Sequence, residues 1–149
     1  LHSDGKHAKK LWVEAPSSCS RPTIDSKKIK EGKHFLEMNG KEVFKHAVKK
    51  FPEVIIEGLN HNNLTIKDLD ILIPHQANLR ISQFIQKKLD LLDNQIFSNI
   101  HKYGNTTAGS IPIAFSEALN SNAISKNNIV VLAAFGSGFT WASCIIKWL

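Results

Sequence analysis

The chain has 149 residues, 42% of them hydrophobic, and a formal net charge of +6; this suits one domain with a sizeable core and argues against a disordered or low-complexity protein. No apolar run approaches membrane-spanning length, and the start Leu1-His2-Ser3-Asp4-Gly5-Lys6 has neither an apolar signal core nor a presequence pattern, so a cytoplasmic protein without a membrane segment is expected. The lysines are scattered, as at Lys27-Lys28, Lys49-Lys50 and Lys87-Lys88, and no aromatics interleave with them, which fits a solvated basic surface or an acidic protein partner and no nucleic acid.

In chain order, Leu1 to Val13 reads as an arm, an Asp4-Gly5 turn and a second arm, a partial β-hairpin. A start at leucine with that arm already under way suggests a chain that begins inside a longer polypeptide. Ala15 to Gly32, rich in Ser, Pro and Lys, reads as a connecting loop, so residues 1–32 are taken as hairpin and connector and residues 33–149 as the domain proper. Asn39 suits a helix cap, and Val43, Phe44, Ala47, Val48 and Phe51 share one helical face. Pro52 predicts a kink or a second helix, in which Val54, Ile55, Ile56 and Leu59 resume the pattern.

Ile71-Leu72-Ile73 is a continuous aliphatic run, the pattern of a strand buried on both faces, and Pro74 ends it where His75 begins. A helix over Ala77 to Leu89 follows, then a short strand over Ile96 to Ile100. The small-residue turn Gly104 to Ser110, whose hydroxyls suit caps, leads into a helix over Ile111 to Asn120. The runs Asn127 to Ala134 and Phe139 to Trp148, split by Gly136-Ser137-Gly138, read as a hairpin. The fold class is therefore α/β, a mixed sheet with helices on both faces. Cys19 and Cys144 form no disulfide framework, no spacing of His or Cys suggests a metal, and Cys144 is expected in the core.

Chemistry concentrates at strand ends in such folds, and three turns fall there: Pro74-His75-Gln76-Ala77-Asn78, Tyr103-Gly104-Asn105-Thr106-Thr107 and Phe135-Gly136-Ser137-Gly138-Phe139. A His nitrogen and an Asn amide brought together would offer two donors to one developing oxyanion, and the glycine hairpin a backbone N–H. No nucleophile accompanies them: neither cysteine sits at a strand-to-helix turn, and no serine lies in a Gly-x-Ser-x-Gly elbow.

The segments Met38 to Phe44, Ile73 to Arg80, Tyr103 to Ser110 and Ala134 to Trp141 resemble, in the same order, those of β-ketoacyl-acyl-carrier-protein synthase III, a thiolase-like family. The Pro-His-Gln-Ala-Asn-x-Arg segment is the most specific of them. The resemblance spans nearly the whole chain but corresponds to only the C-terminal half of such an enzyme, implying a thiolase-like half with a mixed five-stranded sheet.

The resemblance implies a decarboxylating Claisen condensation that starts fatty-acid or related polyketide synthesis. His75 and Asn105 would stabilise the enolate of a malonyl thioester, while the nucleophilic cysteine belongs to an N-terminal half. It further implies that the Ser137 backbone N–H completes an oxyanion hole, and that Gly40, Phe44, Ala77 and Asn78 line a phosphopantetheine tunnel. Arg80 would pair with a phosphate or an acidic carrier helix. The expected partners are the cysteine-bearing half, acyl carrier protein, acyl-coenzyme A and a second copy in a homodimer; coenzyme A thioesters and phosphopantetheine enter as substrates, with no resident cofactor. Two other readings stand beside this one: an acyltransferase forming esters or amides on the same scaffold, and a non-catalytic half that docks a carrier or completes a subunit.

Overall fold

A computed structural model describes residues 1–149. Its strands and helices are β1 (His2–Ser3), β2 (Leu11–Val13), α1 (Ser26–Lys30), β3 (Leu36–Met38), α2 (Gly40–His61), β4 (Ile71–Pro74), α3 (Leu79–Lys88), α4 (Ile100–Tyr103), α5 (Ser110–Asn120), β5 (Ile129–Gly136) and β6 (Thr140–Lys147), with short 3-10 turns between them. The main sheet is mixed and runs β1-β6-β5-β4, with β4 and β5 parallel and the other pairs antiparallel.

The two-residue alternation of a strand decides which helices cover the sheet. All four residues of β4 are buried. Leu72 joins one core cluster with Phe51, Ile55 and Leu59 of α2, Ile81 and Ile85 of α3, and Val131 of β5. Ile71 and Ile73 point the other way, to Ala114 and Ala118 of α5 and to Val130. Helices therefore lie on both faces, as the aliphatic run predicts. Truncating one such residue, Ile55 for example, removes a fully buried side chain, a change that costs about 2–5 kcal/mol.

Asn39 caps α2 as expected, its side chain accepting the Glu42 N–H at 3.2 Å. Pro52 does not split the helix, which runs unbroken through it to His61. An internal proline costs a helix roughly 3 kcal/mol; here Phe51, Val54, Ile55 and Leu59 are buried on either side of it, and that burial holds the helix together. Close approach to β6 requires Gly58, where an added Cβ would stand 2.5 Å from Ser143 Oγ. That hydroxyl in turn donates to the Val54 carbonyl at 2.8 Å.

Several expectations need correction. The two opening arms do not pair with each other: a 3-10 turn over Gly5–Lys10 separates them, β1 joins the edge of the main sheet through His2↔Trp141, and β2 pairs with β3 through Leu11↔Met38. The expected strand over Ile96 to Ile100 is reduced to a single parallel bridge, Leu72↔Ile96, so the main sheet has four strands. The chain beyond it is diverted because Gln76 takes the Asn99 N–H and the Ser98 hydroxyl. Cys144 is exposed rather than in the core. Its neighbours Ser143 and Ile145 face α2, and the alternate face of β6 leaves Cys144 uncovered. No helix is long and apolar enough to cross a membrane.

Candidate active site

His75 is anchored by the fully buried strand β4 that precedes it. In the parallel pair of β4 and β5, Pro74 stands opposite Ala133, and the His75 N–H extends the ladder by donating to the Ala133 carbonyl at 2.7 Å. Three residues on, the Asn78 side chain caps α3 by accepting the Arg80 N–H at 2.9 Å. Between them Gln76 folds inward and is 1% exposed. Its amide donates to the Pro74 carbonyl at 2.7 Å, and its oxygen accepts from Ser98 Oγ at 2.8 Å and from the Asn99 N–H at 3.3 Å. A buried amide with both ends satisfied fixes the turn that carries the imidazole.

The His75 ring is half-buried, and its Nδ1 lies 2.6 Å from the hydroxyl of Ser110. The same hydroxyl accepts the Gln76 N–H at 3.2 Å. Desolvation by burial holds the His75 pKa below the ordinary imidazole value, so the neutral ring is favoured. Nε2 makes no hydrogen bond within the chain.

Asn105 follows α4 on an exposed turn, and its Oδ1 accepts the Thr107 N–H at 2.9 Å. A backbone N–H only donates, so this bond assigns the side-chain oxygen and leaves Nδ2 as the outward donor. Ser137 occupies the turn between β5 and β6. Its hydroxyl donates to the Leu11 carbonyl, and its backbone N–H has no acceptor in the chain. The positive φ of this turn falls on Gly138, at +138°, not on Ser137. A Cβ on Gly138 would stand 2.9 Å from the Thr140 nitrogen, so this is the position that requires glycine. Asp4 clasps the turn from the N-terminal side through paired backbone bonds with Phe139, at 2.7 and 2.9 Å.

A cleft of about 550 Å³ brings His75, Asn105 and Ser137 together, walled by Leu11, Leu36, Ala108, Phe135 and Trp141 among others. Mostly apolar walls with a few unpaired polar groups are the usual makeup of a small-molecule site. Among the groups there without a partner in the chain are the Asn105 amide nitrogen and the Ser137 backbone N–H, both donors, and His75 Nε2, a donor in the Nε2–H tautomer. Such a set is suited to an oxygen that gains negative charge during a reaction.

The other expected residues lie outside this cleft. Gly40 and Phe44 are in the first turns of α2, and the Phe44 ring meets Phe84 of α3 edge-on at 6.5 Å. Nothing in the chain requires glycine at position 40, where a Cβ would meet only Met38 Cε at 4.0 Å. Ala77 and Asn78 lead into α3, and Arg80 is exposed in its first turn. Neither cysteine lines the cleft. Sequence reasoning missed Gln76, Phe135 and Ser110. The hydroxyls of the Gly104 to Ser110 turn were expected as caps, yet Ser110 makes no capping bond and faces His75 instead.

Residues 59–148 match the family described as 3-oxoacyl-[acyl-carrier-protein (ACP)] synthase III C terminal. The beta-ketoacyl-[acyl-carrier-protein] synthase III of Caldanaerobacter subterraneus subsp. tengcongensis is 43% identical over 148 residues, which are 99% of this chain and 44% of that protein. The Clostridium tetani protein of the same name is 42% identical over 158 residues, 100% of this chain and 46% of that one. The solved structure of the synthase III from Thermus thermophilus superposes with a TM-score of 0.87 at 34% identity, over 99% of this chain and 44% of that chain. The chain thus spans a little under half the length of the curated relatives it matches.

Proposed function

The chain belongs to the C-terminal family of 3-oxoacyl-[acyl-carrier-protein] synthase III, and from that membership we propose that it supplies the enolate-stabilising half of a decarboxylating condensing enzyme. In the complete reaction a cysteine thiolate, contributed by the part of the protein that corresponds to the remainder of the relatives, attacks an acyl-coenzyme A thioester and expels the coenzyme A thiolate. A malonyl thioester on a carrier protein then loses its carboxylate as carbon dioxide. The electron pair of the broken bond passes into an enolate, whose carbon attacks the acyl-cysteine and releases the thiolate.

His75 Nε2–H and Asn105 Nδ2–H donate to the malonyl thioester oxygen as it becomes the enolate. The Ser137 N–H donates to the oxyanion formed when the acyl-cysteine is attacked. Asn78, whose oxygen is engaged in the cap, keeps its amide N–H for a pantetheine carbonyl, and Gly40, Phe44 and Ala77 flank the arm. Arg80 meets the carrier or its phosphate. A homodimer completes the assembly.

The observation that carries this reading is that one mostly apolar cleft is lined by His75, Asn105 and Ser137, whose Nε2, amide nitrogen and backbone N–H have no partner within the chain. Removing one such donor lowers a rate on the order of 10²-fold or more. His75→Ala in the protein joined to its cysteine-bearing half should therefore depress malonyl-thioester decarboxylation by at least that factor. Acyl-cysteine formation, followed by mass spectrometry, should fall far less. Equal losses in both steps, or no loss of decarboxylation, would refute the assignment.

A further inference from the structure

We propose that Ser110 is the positioning residue that sets the tautomer of His75, by donating its hydroxyl proton to Nδ1 and so placing the ring proton on Nε2, toward the cleft. The inference rests on hydrogen-bond accounting. Ser110 is 2% exposed, and its hydroxyl has two neighbours within bonding distance, the Gln76 N–H at 3.2 Å and His75 Nδ1 at 2.6 Å. A backbone N–H can only donate, so Gln76 occupies one lone pair of the serine oxygen. The hydroxyl proton then has a single acceptor within reach, Nδ1.

If Nδ1 instead carried the ring proton, it would donate to the same oxygen and leave the Ser110 hydrogen buried without a partner. Leaving a buried donor unsatisfied forfeits its full desolvation cost. Only the Nε2–H tautomer satisfies all three groups at once. The same accounting opposes the imidazolium, which bears a proton on both nitrogens and so also strands the serine hydrogen. Ser110 is also the first residue of α5, an eleven-residue helix, whose positive end adds to the disfavour of a charged ring.

The consequence for the reaction, which rests on the reading of His75 as an enolate donor, is that the donor is set before substrate arrives. Nε2 faces the cleft with its proton in place, and no rearrangement of the ring precedes decarboxylation. Preorganisation of this kind is what gives such donors their effect.

The test is long-range proton–nitrogen correlation NMR of protein carrying ¹⁵N-labelled histidine, at a pH where His75 is neutral, with the signals assigned through His75→Gln. The parent protein should show His75 as the Nε2–H tautomer. Ser110→Thr, which keeps a hydroxyl, should preserve it, and Ser110→Ala should give a mixture. An Nδ1–H ring in the parent, or an unchanged ring in Ser110→Ala, would overturn the inference. The parent spectrum decides even if the alanine variant fails to fold.

In the complete enzyme, Ser110→Ala should lower decarboxylation by more than twofold but by less than the roughly 10²-fold expected for loss of the donor itself, with partial recovery in Ser110→Thr. If the tautomer is as stated and His75→Ala leaves decarboxylation intact, the role of Ser110 in setting the ring stands and the enolate reading fails.

Discussion

Of the side chains that line the cleft, His75 and Asn105 are held in opposite ways. His75 extends the ladder of the buried strand β4, and its turn is fastened from behind by Gln76 and Ser110, each at most 2% exposed. Asn105 stands on an exposed turn and is oriented by one bond to the Thr107 N–H. One donor is fixed by the core of this chain, whereas the other relies on a local turn open to whatever packs over it. Two donors to one oxygen need not be equally rigid beforehand, provided the one with alternative proton positions is the one locked. The imidazole has two tautomers, and an amide assigned by its oxygen has none to choose between.

The contrast is broken most severely at Gln76. Replacing it with Leu keeps the approximate volume but removes the bonds to Pro74, Ser98 and Asn99. The Pro74 carbonyl and the Asn99 N–H, both buried, are left unpaired at about 1–3 kcal/mol each, so a total near 3 kcal/mol is expected in denaturant unfolding. If Gln76→Leu unfolds within 0.5 kcal/mol of the parent, the rigidity attributed to the His75 turn is misplaced.

Asn105→Asp sharpens the comparison from the other side. The aspartate retains an oxygen for the Thr107 N–H, so the turn survives. It replaces the outward N–H with an acceptor that repels a developing enolate. Stability should stay within about 0.5 kcal/mol, as for most exposed substitutions, while decarboxylation in the complete enzyme should fall on the order of 10²-fold or more. A large loss of stability would mean that the turn depends on the amide N–H after all.

The same contrast governs what the sequence made legible. The Ile71-Leu72-Ile73 run, its proline stop and the Asn39 cap are local signals, and they predicted β4, the position of His75 and the start of α2. Asn105 and Ser137 were legible as turn residues because their settings are short stretches of Gly, Asn, Ser and Thr. Signals that depend on a distant partner were not. The pairing of His2 with Trp141 joins the two ends of the chain, so the first arm looks like half of a local hairpin. The strand expected after Ile96 stops because Gln76, far back in the sequence, intercepts its hydrogen bonds. Ser110 looked like a cap because hydroxyls at helix starts usually are. Gly109 is already helical in its backbone angles and takes the cap position, so Ser110 is the first helical residue and its hydroxyl is free to face His75.

The smallest expected effect is the pH dependence of stability that His75 itself contributes. Burial places its folded pKa below the ordinary imidazole value, with no charged neighbour contributing to the shift. Above the ordinary value neither the folded nor the unfolded chain protonates this ring, and His75 contributes no slope. As pH falls through the window between that value and the lower folded pKa, the unfolded chain binds a proton that the folded one does not, so stability declines. Below the folded pKa both states are protonated and the decline stops. Burial and the adjacent His7 likewise lower the pKa of His46, which adds a decline of the same sign. The contribution of His75 is therefore the difference between the parent and His75→Gln, followed by urea unfolding from neutral pH downward. The parent should lose more stability than the variant in mildly acidic solution, and their stability difference should be constant above the ordinary imidazole value. Parallel curves throughout the acidic range would show that the folded protein accepts the proton on His75 as readily as the unfolded chain does, which is incompatible with a ring held neutral by its surroundings.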